Sequence, residues 1–135
     1  MRFVDTNVLL YSVSTHPDEG RTAAVAEGLL DCDDLCLSVQ VLQEFYVQAT
    51  RSSRIGALSH ADAASLVETW LRFPVQETTV ALMLAAFKAS ARWHLSYWDA
   101  AVIEAARLRG CHEMLTEDLA AGVDYDGVRV VNPFA

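Results

Sequence analysis

The sequence predicts an α/β fold built on a mostly parallel sheet, and three observations carry that prediction. Short apolar runs of strand character alternate with longer amphipathic stretches along the whole chain. The composition, 53% hydrophobic and 21% charged, supplies a packed core and too little charge for disorder. No repeat, low-complexity segment or Pro/Gly-rich linker divides the 135 residues, a length that one domain accommodates. The alternation implies right-handed crossovers and helices on both faces of the sheet.

The elements follow in order. Arg2–Asp5 reads as a short buried strand ending on a carboxylate, and TNVLLYSV turns from it into a helix. The Pro-Asp-Glu start and apolar stripe of HPDEGRTAAVAEGLL predict a second helix from about Pro17 to Leu30. LCLS is a strand, and Ser38 caps the helix VQVLQEFYVQATR. Ser59 caps the amphipathic SHADAASLVETWLRF, VQET is a short strand, and VALMLAAFKASARW is strongly helical. SYWDAAVIEAARLRG forms a further helix, opened by Ser96 and closed by Gly110. EMLT and VRVVN are the last strands.

Composition also narrows the function classes. Asp5 interrupts the N-terminal apolar stretch before the core of a signal peptide could form. The longest apolar run, Val80 to Phe87, is far too short for a membrane span, so the expectation is a soluble, cytoplasmic protein. Cys32, Cys36 and Cys111 match no common zinc or redox spacing and read as buried or idle thiols. The four histidines, His16, His60, His94 and His112, are scattered and carry no pattern. The net charge of −8 counts against a nucleic-acid substrate, which ordinarily leaves a basic footprint. A site made of acids contributes negative charge of its own, however, and all the basic residues except Lys88 are Arg, whose fork matches phosphate.

In an open parallel sheet the working site lies beyond the carboxyl ends of the strands. Asp5 ends the first strand, and Glu117 and Asp118 follow the strand Glu113–Thr116. Glu44 sits in the helix after LCLS, and Asp99 in the first turn after Ser96. Parallel strands bring these acids to one edge, where mutual repulsion demands protons or a cation. Oxygen ligands without Cys or His select Mg²⁺ or Mn²⁺ over zinc. Each acid has a plainer reading: Asp5 and Asp99 as helix caps, Glu44 as part of a solvated Gln40–Glu44–Gln48 stripe, Asp118 as a turn residue. Arg51 and Arg54, just past the Glu44 helix, are candidates for gripping phosphates, against the reading that they are solvated surface charges.

The same residues carry a family resemblance. FVDTNVLLY at Phe3–Tyr11, SVQVLQEFYV at Ser38–Val47, SYWDAAVIEAA at Ser96–Ala106 and the closing LTEDLAAG…GVRVVNPF resemble, in order, the motifs of PIN-domain ribonucleases of the VapC toxin type. GVDYDGVRVV departs mildly from the family's commoner run. The resemblance implies a single PIN domain over 1–135 with a three-layer fold of four or five short strands. It implies a Mg²⁺- or Mn²⁺-dependent endoribonuclease with Asp5, Glu44, Asp99 and Asp118 as its acidic site, Asp5 and Asp99 being the direct ligands. Asn7, Thr116 and Glu117 would support that site; Asp118 is preferred to Glu117 because the family's Glu-Asp pair places its acid second. A homodimer and a VapB-type antitoxin that blocks the acidic groove are implied as well.

Rival readings differ in chemistry. A haloacid-dehalogenase-type phosphohydrolase with Asp5 as nucleophile needs an acid two positions on, where this chain has Asn7. A receiver-like module needs a lysine beside the acids, but Lys88 lies inside an apolar helix. The remaining alternative is a catalytically inactive PIN-like module that binds RNA or protein.

Overall fold

The computed structural model describes residues Met1–Ala135. The sheet has five parallel strands in the order β3-β2-β1-β4-β5: β1 (Arg2–Val4), β2 (Leu35–Ser38), β3 (Val75–Gln76), β4 (Glu113–Leu115) and β5 (Arg129–Val131). The helices are α1 (Thr6–Ser12), α2 (Gly20–Leu30), α3 (Val39–Ala49), α4 (His60–Trp70), α5 (Val80–Trp93) and α6 (Tyr97–Leu108). The α/β class, the parallel pairing and every expected strand are present. No helix is long and apolar enough to cross a membrane.

Strand order explains where a site can form. The chain moves from β1 outward through β2 to β3, then returns past β1 to pair β4 on its other side. Right-handed crossovers reverse the face on which the helices lie when the direction reverses. α1 accordingly packs with α2 and α3, and α3 with α4, while α5 packs with α6 and α6 lies against β2, β3 and β4. The reversal leaves a crevice above the carboxyl ends of β1 and β4.

Phe3, Val4, Leu35, Leu37, Met114 and Val130 from the strands are buried almost completely, against Val8, Leu9, Phe45 and Ile103 from the helices. The Sγ atoms of Cys36 and Cys111 meet inside this core. Their Cα atoms stand 7.7 Å apart, beyond the separation a disulfide ordinarily spans.

The start of α2 and the end of α3 differ from expectation. Pro17–Glu19 forms a separate 3-10 turn, capped by His16 Nδ1, before α2 starts at Gly20. α3 ends at Ala49 instead of running to Arg51, and the Ala49 carbonyl accepts from the N–H of Leu58 at 2.8 Å. His94 closes α5 in the left-handed conformation (φ 55°), a position usually given to glycine.

Candidate active site

Four segments deliver the acids to the crevice. Asp5 follows β1 as the N-cap of α1, its carboxylate accepting from the backbone N–H of Thr6 at 2.8 Å. Ser38 caps α3 through the N–H of Val41 at 3.3 Å, which sets Glu44 two turns along the helix. Ser96 caps α6 by accepting from the Asp99 N–H at 3.1 Å, which leaves the Asp99 side chain in the first turn, beside the positive end of the helix dipole. Asp118 and Glu117 follow β4. Asp5, Glu44, Asp99, Glu117 and Asp118 all line one cleft of about 310 Å³, together with Asn7 and Arg54. The sequence-derived acids therefore share a wall, and the capping and site readings of Asp5 prove compatible.

A buried polar network holds the first and last of these segments together. Thr116, fully buried, donates to Asp5 Oδ2 at 2.8 Å. Its hydroxyl accepts from Asn7 Nδ2 at 2.9 Å and from the N–H of Asp118 at 3.0 Å. Asn7 Nδ2 also donates to Asp118 Oδ2 at 3.1 Å. Glu44 is held by the hydroxyl of Thr6 at 2.8 Å on one oxygen and by Gln40 Nε2 at 3.0 Å on the other. Thr6 and Gln40 are site residues that sequence reasoning missed. Gln40 had a signal, its place one turn before Glu44 on the same helical face, but that face was read as a solvated stripe.

The two neighbouring acids after β4 separate clearly. Asp118 joins the Asp5 network, whereas Glu117 accepts from the hydroxyl of Tyr11 at 2.7 Å. That bond, with burial and the charge of Glu117, pushes the Tyr11 hydroxyl up to about 12. Asp5 is the strained member of the cluster. Burial pushes its pKa up to about 6; the Thr116 and Thr6 hydrogen bonds oppose this, and the charges of Asp118 and Glu44 add to it. Of the two candidate arginines, Arg54 lines the acidic cleft and Arg51 lines a second cleft beside it.

The donor chemistry fits a hard divalent cation. Every ligand on offer is oxygen, and Asn7 Oδ1 is buried with no hydrogen-bond partner. A cation would also relieve the burial of Asp5 among like charges. No three acidic, imidazole or thiol side chains are drawn together closely enough to hold an ion in this conformation.

Comparison with known proteins agrees with the fold. Among proteins of curated function none matches the sequence significantly. The chain resembles the VapC20 toxin of Mycobacterium tuberculosis, a sarcin-ricin loop cleaving toxin, at 21% identity over 87% of this chain and 92% of that one (TM-score 0.69). It resembles a chain of a toxin–antitoxin complex from Klebsiella pneumoniae at 17% identity over 98% of both chains (TM-score 0.73). A chain of FitAcB from Neisseria gonorrhoeae matches at 22% identity over 99% of both (TM-score 0.61). The PIN domain profile matches residues 2–121. With that match across nearly the whole chain, and with its acids gathered above β1 and β4, the protein belongs to the PIN domain family.

Proposed function

We propose that the acidic cleft hydrolyses RNA phosphodiester bonds with a divalent cation, Mg²⁺ or in its place Mn²⁺, and that the chain is the toxin of a toxin–antitoxin module. One observation carries the reading: Asp5, Glu44, Asp99 and Asp118, contributed by segments distant in sequence, line a single cleft. Asp5 and Asp99 would hold the ion directly, with Glu44 and Asp118 completing its surroundings. A cation bound there supplies positive charge for the phosphate and makes a water molecule more acidic.

The chain's own groups do the remaining work. Thr116 and the Thr6 N–H fix the Asp5 carboxylate, so its orientation is set before any ligand arrives. Thr6 and Gln40 hold the Glu44 carboxylate at the cleft wall, where it can take the proton of an attacking water. Asn7 orients Asp118. Arg54, at the edge of the same cleft, meets the non-bridging phosphate oxygens as a bidentate donor.

The resemblance to a sarcin-ricin loop cleaving toxin and to a chain of a toxin–antitoxin complex supports an RNA substrate and a VapB-type antitoxin that covers the cleft. A homodimer and a cytoplasmic location belong to the same proposal. A second reading, an inactive PIN-like binding module, draws on the absence of a closed three-ligand set and on the net charge of −8.

Metal dependence separates the two. RNA should be cut in Mg²⁺ or Mn²⁺, poorly in Ca²⁺, and not at all after EDTA treatment. Undiminished cutting in EDTA sinks the metal mechanism. A protein that binds RNA but cuts it in none of these metals is the inactive module.

A further inference from the structure

Beside the acidic cleft lies a second one of about 500 Å³, lined by Gln43, Val47 and Arg51 together with four residues that also line the first: Gln40, Glu44, Gln48 and Trp98. Trp98 immediately precedes Asp99, so the residue beside a candidate metal ligand is also the largest apolar group of the adjoining cleft. A tryptophan at 63% exposure is unusual for a side chain that normally buries its ring. It is not loosely held. Its ring packs edge-on against Tyr97 at 4.9 Å, and its carbonyl accepts from Gln40 Nε2 at 3.3 Å, the same amide that holds Glu44. The indole therefore stands exposed beside the acidic cleft, on a backbone joined through Gln40 to Glu44.

We propose that this second cleft is the subsite for an unpaired nucleobase of the RNA, the one flanking the scissile phosphate, stacked on the indole of Trp98. The inference rests on the nuclease reading of the acidic cleft and adds how the substrate is gripped. Stacking on an aromatic face is the ordinary means by which proteins hold splayed, single-stranded bases. The other walls suit the rest of a nucleotide. Gln43 and Gln48 offer amides that can both donate to and accept from a base edge, and Arg51 offers a fork for the next phosphate. A base seated there is continuous with a phosphate in the acidic cleft, because the two clefts share a wall. A second copy of this chain is the competing occupant, since Phe87 on α5 is exposed and packs at 5.5 Å from Tyr97.

The test uses the full chain and its Trp98→Leu and Trp98→Tyr variants on a short unpaired RNA of mixed sequence whose cut sites are first mapped in Mg²⁺. Trp98→Leu should raise KM about tenfold with kcat little changed, and Trp98→Tyr should restore most of the loss. Removing the base next to the cut should cost the wild type a similar factor and cost Trp98→Leu nothing further. In Ca²⁺ the intact RNA should quench wild-type tryptophan fluorescence, and Trp98→Leu should lose both that quenching and about tenfold in affinity. Equal losses by wild type and Trp98→Leu on base removal, or an unchanged KM, would overturn the subsite while leaving metal-dependent cutting intact. Trp98-dependent binding by a protein that never cuts would retain the subsite and overturn the nuclease reading. If Trp98→Leu converts a dimer to a monomer in sedimentation and its defect vanishes at high protein concentration, Trp98 is an interface residue and the subsite is wrong.

Discussion

The two ends of the sheet treat charge in opposite ways. At the amino end, Arg2 of β1 and Asp34 just before β2 form a two-point ion pair at 2.8 Å, with both side chains partly in water. The pair holds the Asp34 carboxyl below its ordinary value, through the Arg2 hydrogen bond first and its charge second. At the carboxyl end Asp5 is buried beside two like charges and pushed up to about 6. One end places opposite charges where water screens them and little is gained or lost. The other buries a carboxylate, with like charges adding to the cost in stability, an arrangement common where a ligand binds.

The largest expected effect is on catalysis. Asp5→Asn and Asp99→Asn should each lower RNA cleavage by about 10²- to 10⁴-fold while far-UV circular dichroism stays native. A variant that keeps near wild-type turnover does not belong at the loaded end. The corresponding change at the amino end, Asp34→Asn, should leave turnover alone.

Next comes the pH dependence of metal-free stability, where the ends should slope in opposite directions. Asp5 has a folded pKa of about 6 against an ordinary 3.8. The folded state keeps the proton longer, so its contribution is fully present below 3.8 and is lost as pH rises towards 6. The loss is at most about 3 kcal/mol, at 1.36 kcal/mol per pKa unit. Asp34, whose folded pKa is lowered, contributes above its ordinary value and loses that contribution as pH falls. Thermal melting in EDTA from pH 4 to 7 should show wild type losing ground to Asp5→Asn. A constant difference across that range means that Asp5 is not the repelled group.

Thr116→Val is a smaller and more local change. It keeps the shape but removes the hydroxyl that donates to Asp5 and accepts from Asn7 and Asp118. The cost should be about 1–3 kcal/mol, because buried partners are left unpaired. Loss of a bond that favours the charged form should also move the Asp5 titration to higher pH. An unchanged pH profile would reduce Thr116 to packing alone. Smallest of all, breaking the Arg2–Asp34 pair should cost about 0.2–1 kcal/mol, and less in high salt.

What was legible in the sequence was chemistry that acts locally. Ser38, Ser59 and Ser96 cap the helices they were expected to cap, because an N-cap needs only its own hydroxyl and an amide three residues on. Asp5, Glu44, Asp99 and Asp118 reached one cleft because strand ends in a parallel sheet share an edge. What was not legible depends on contacts across the chain. The hydroxyl of Tyr11 on Glu117 and that of Thr6 on Glu44 join residues 106 and 38 positions apart. The carbonyl at the early end of α3 is taken by the N–H of Leu58, nine residues on, and Gln40 reaches the Trp98 carbonyl across 58 residues.

The hydrogen bonds that unite Asp5, Asn7, Thr116 and Asp118 span 109 to 111 residues. During synthesis the first strand leaves the ribosome long before its neighbour β4 exists, and chains grow at about 5–20 residues per second. For those seconds Asp5 has neither the Thr116 hydroxyl nor the company of Asp118, and it remains an ordinary solvated carboxylate. Long-range closure of this kind is also the slow part of folding, since the loop entropy is lost before the contacts form. The network that joins Asp5 and Asn7 to Thr116 and Asp118 therefore closes late in chain growth, when β4 docks beside β1. A nascent chain that ends after α4 already holds Asp5, Glu44 and the Thr6 and Gln40 groups that bond Glu44, but none of the bonds to Thr116 and Asp118.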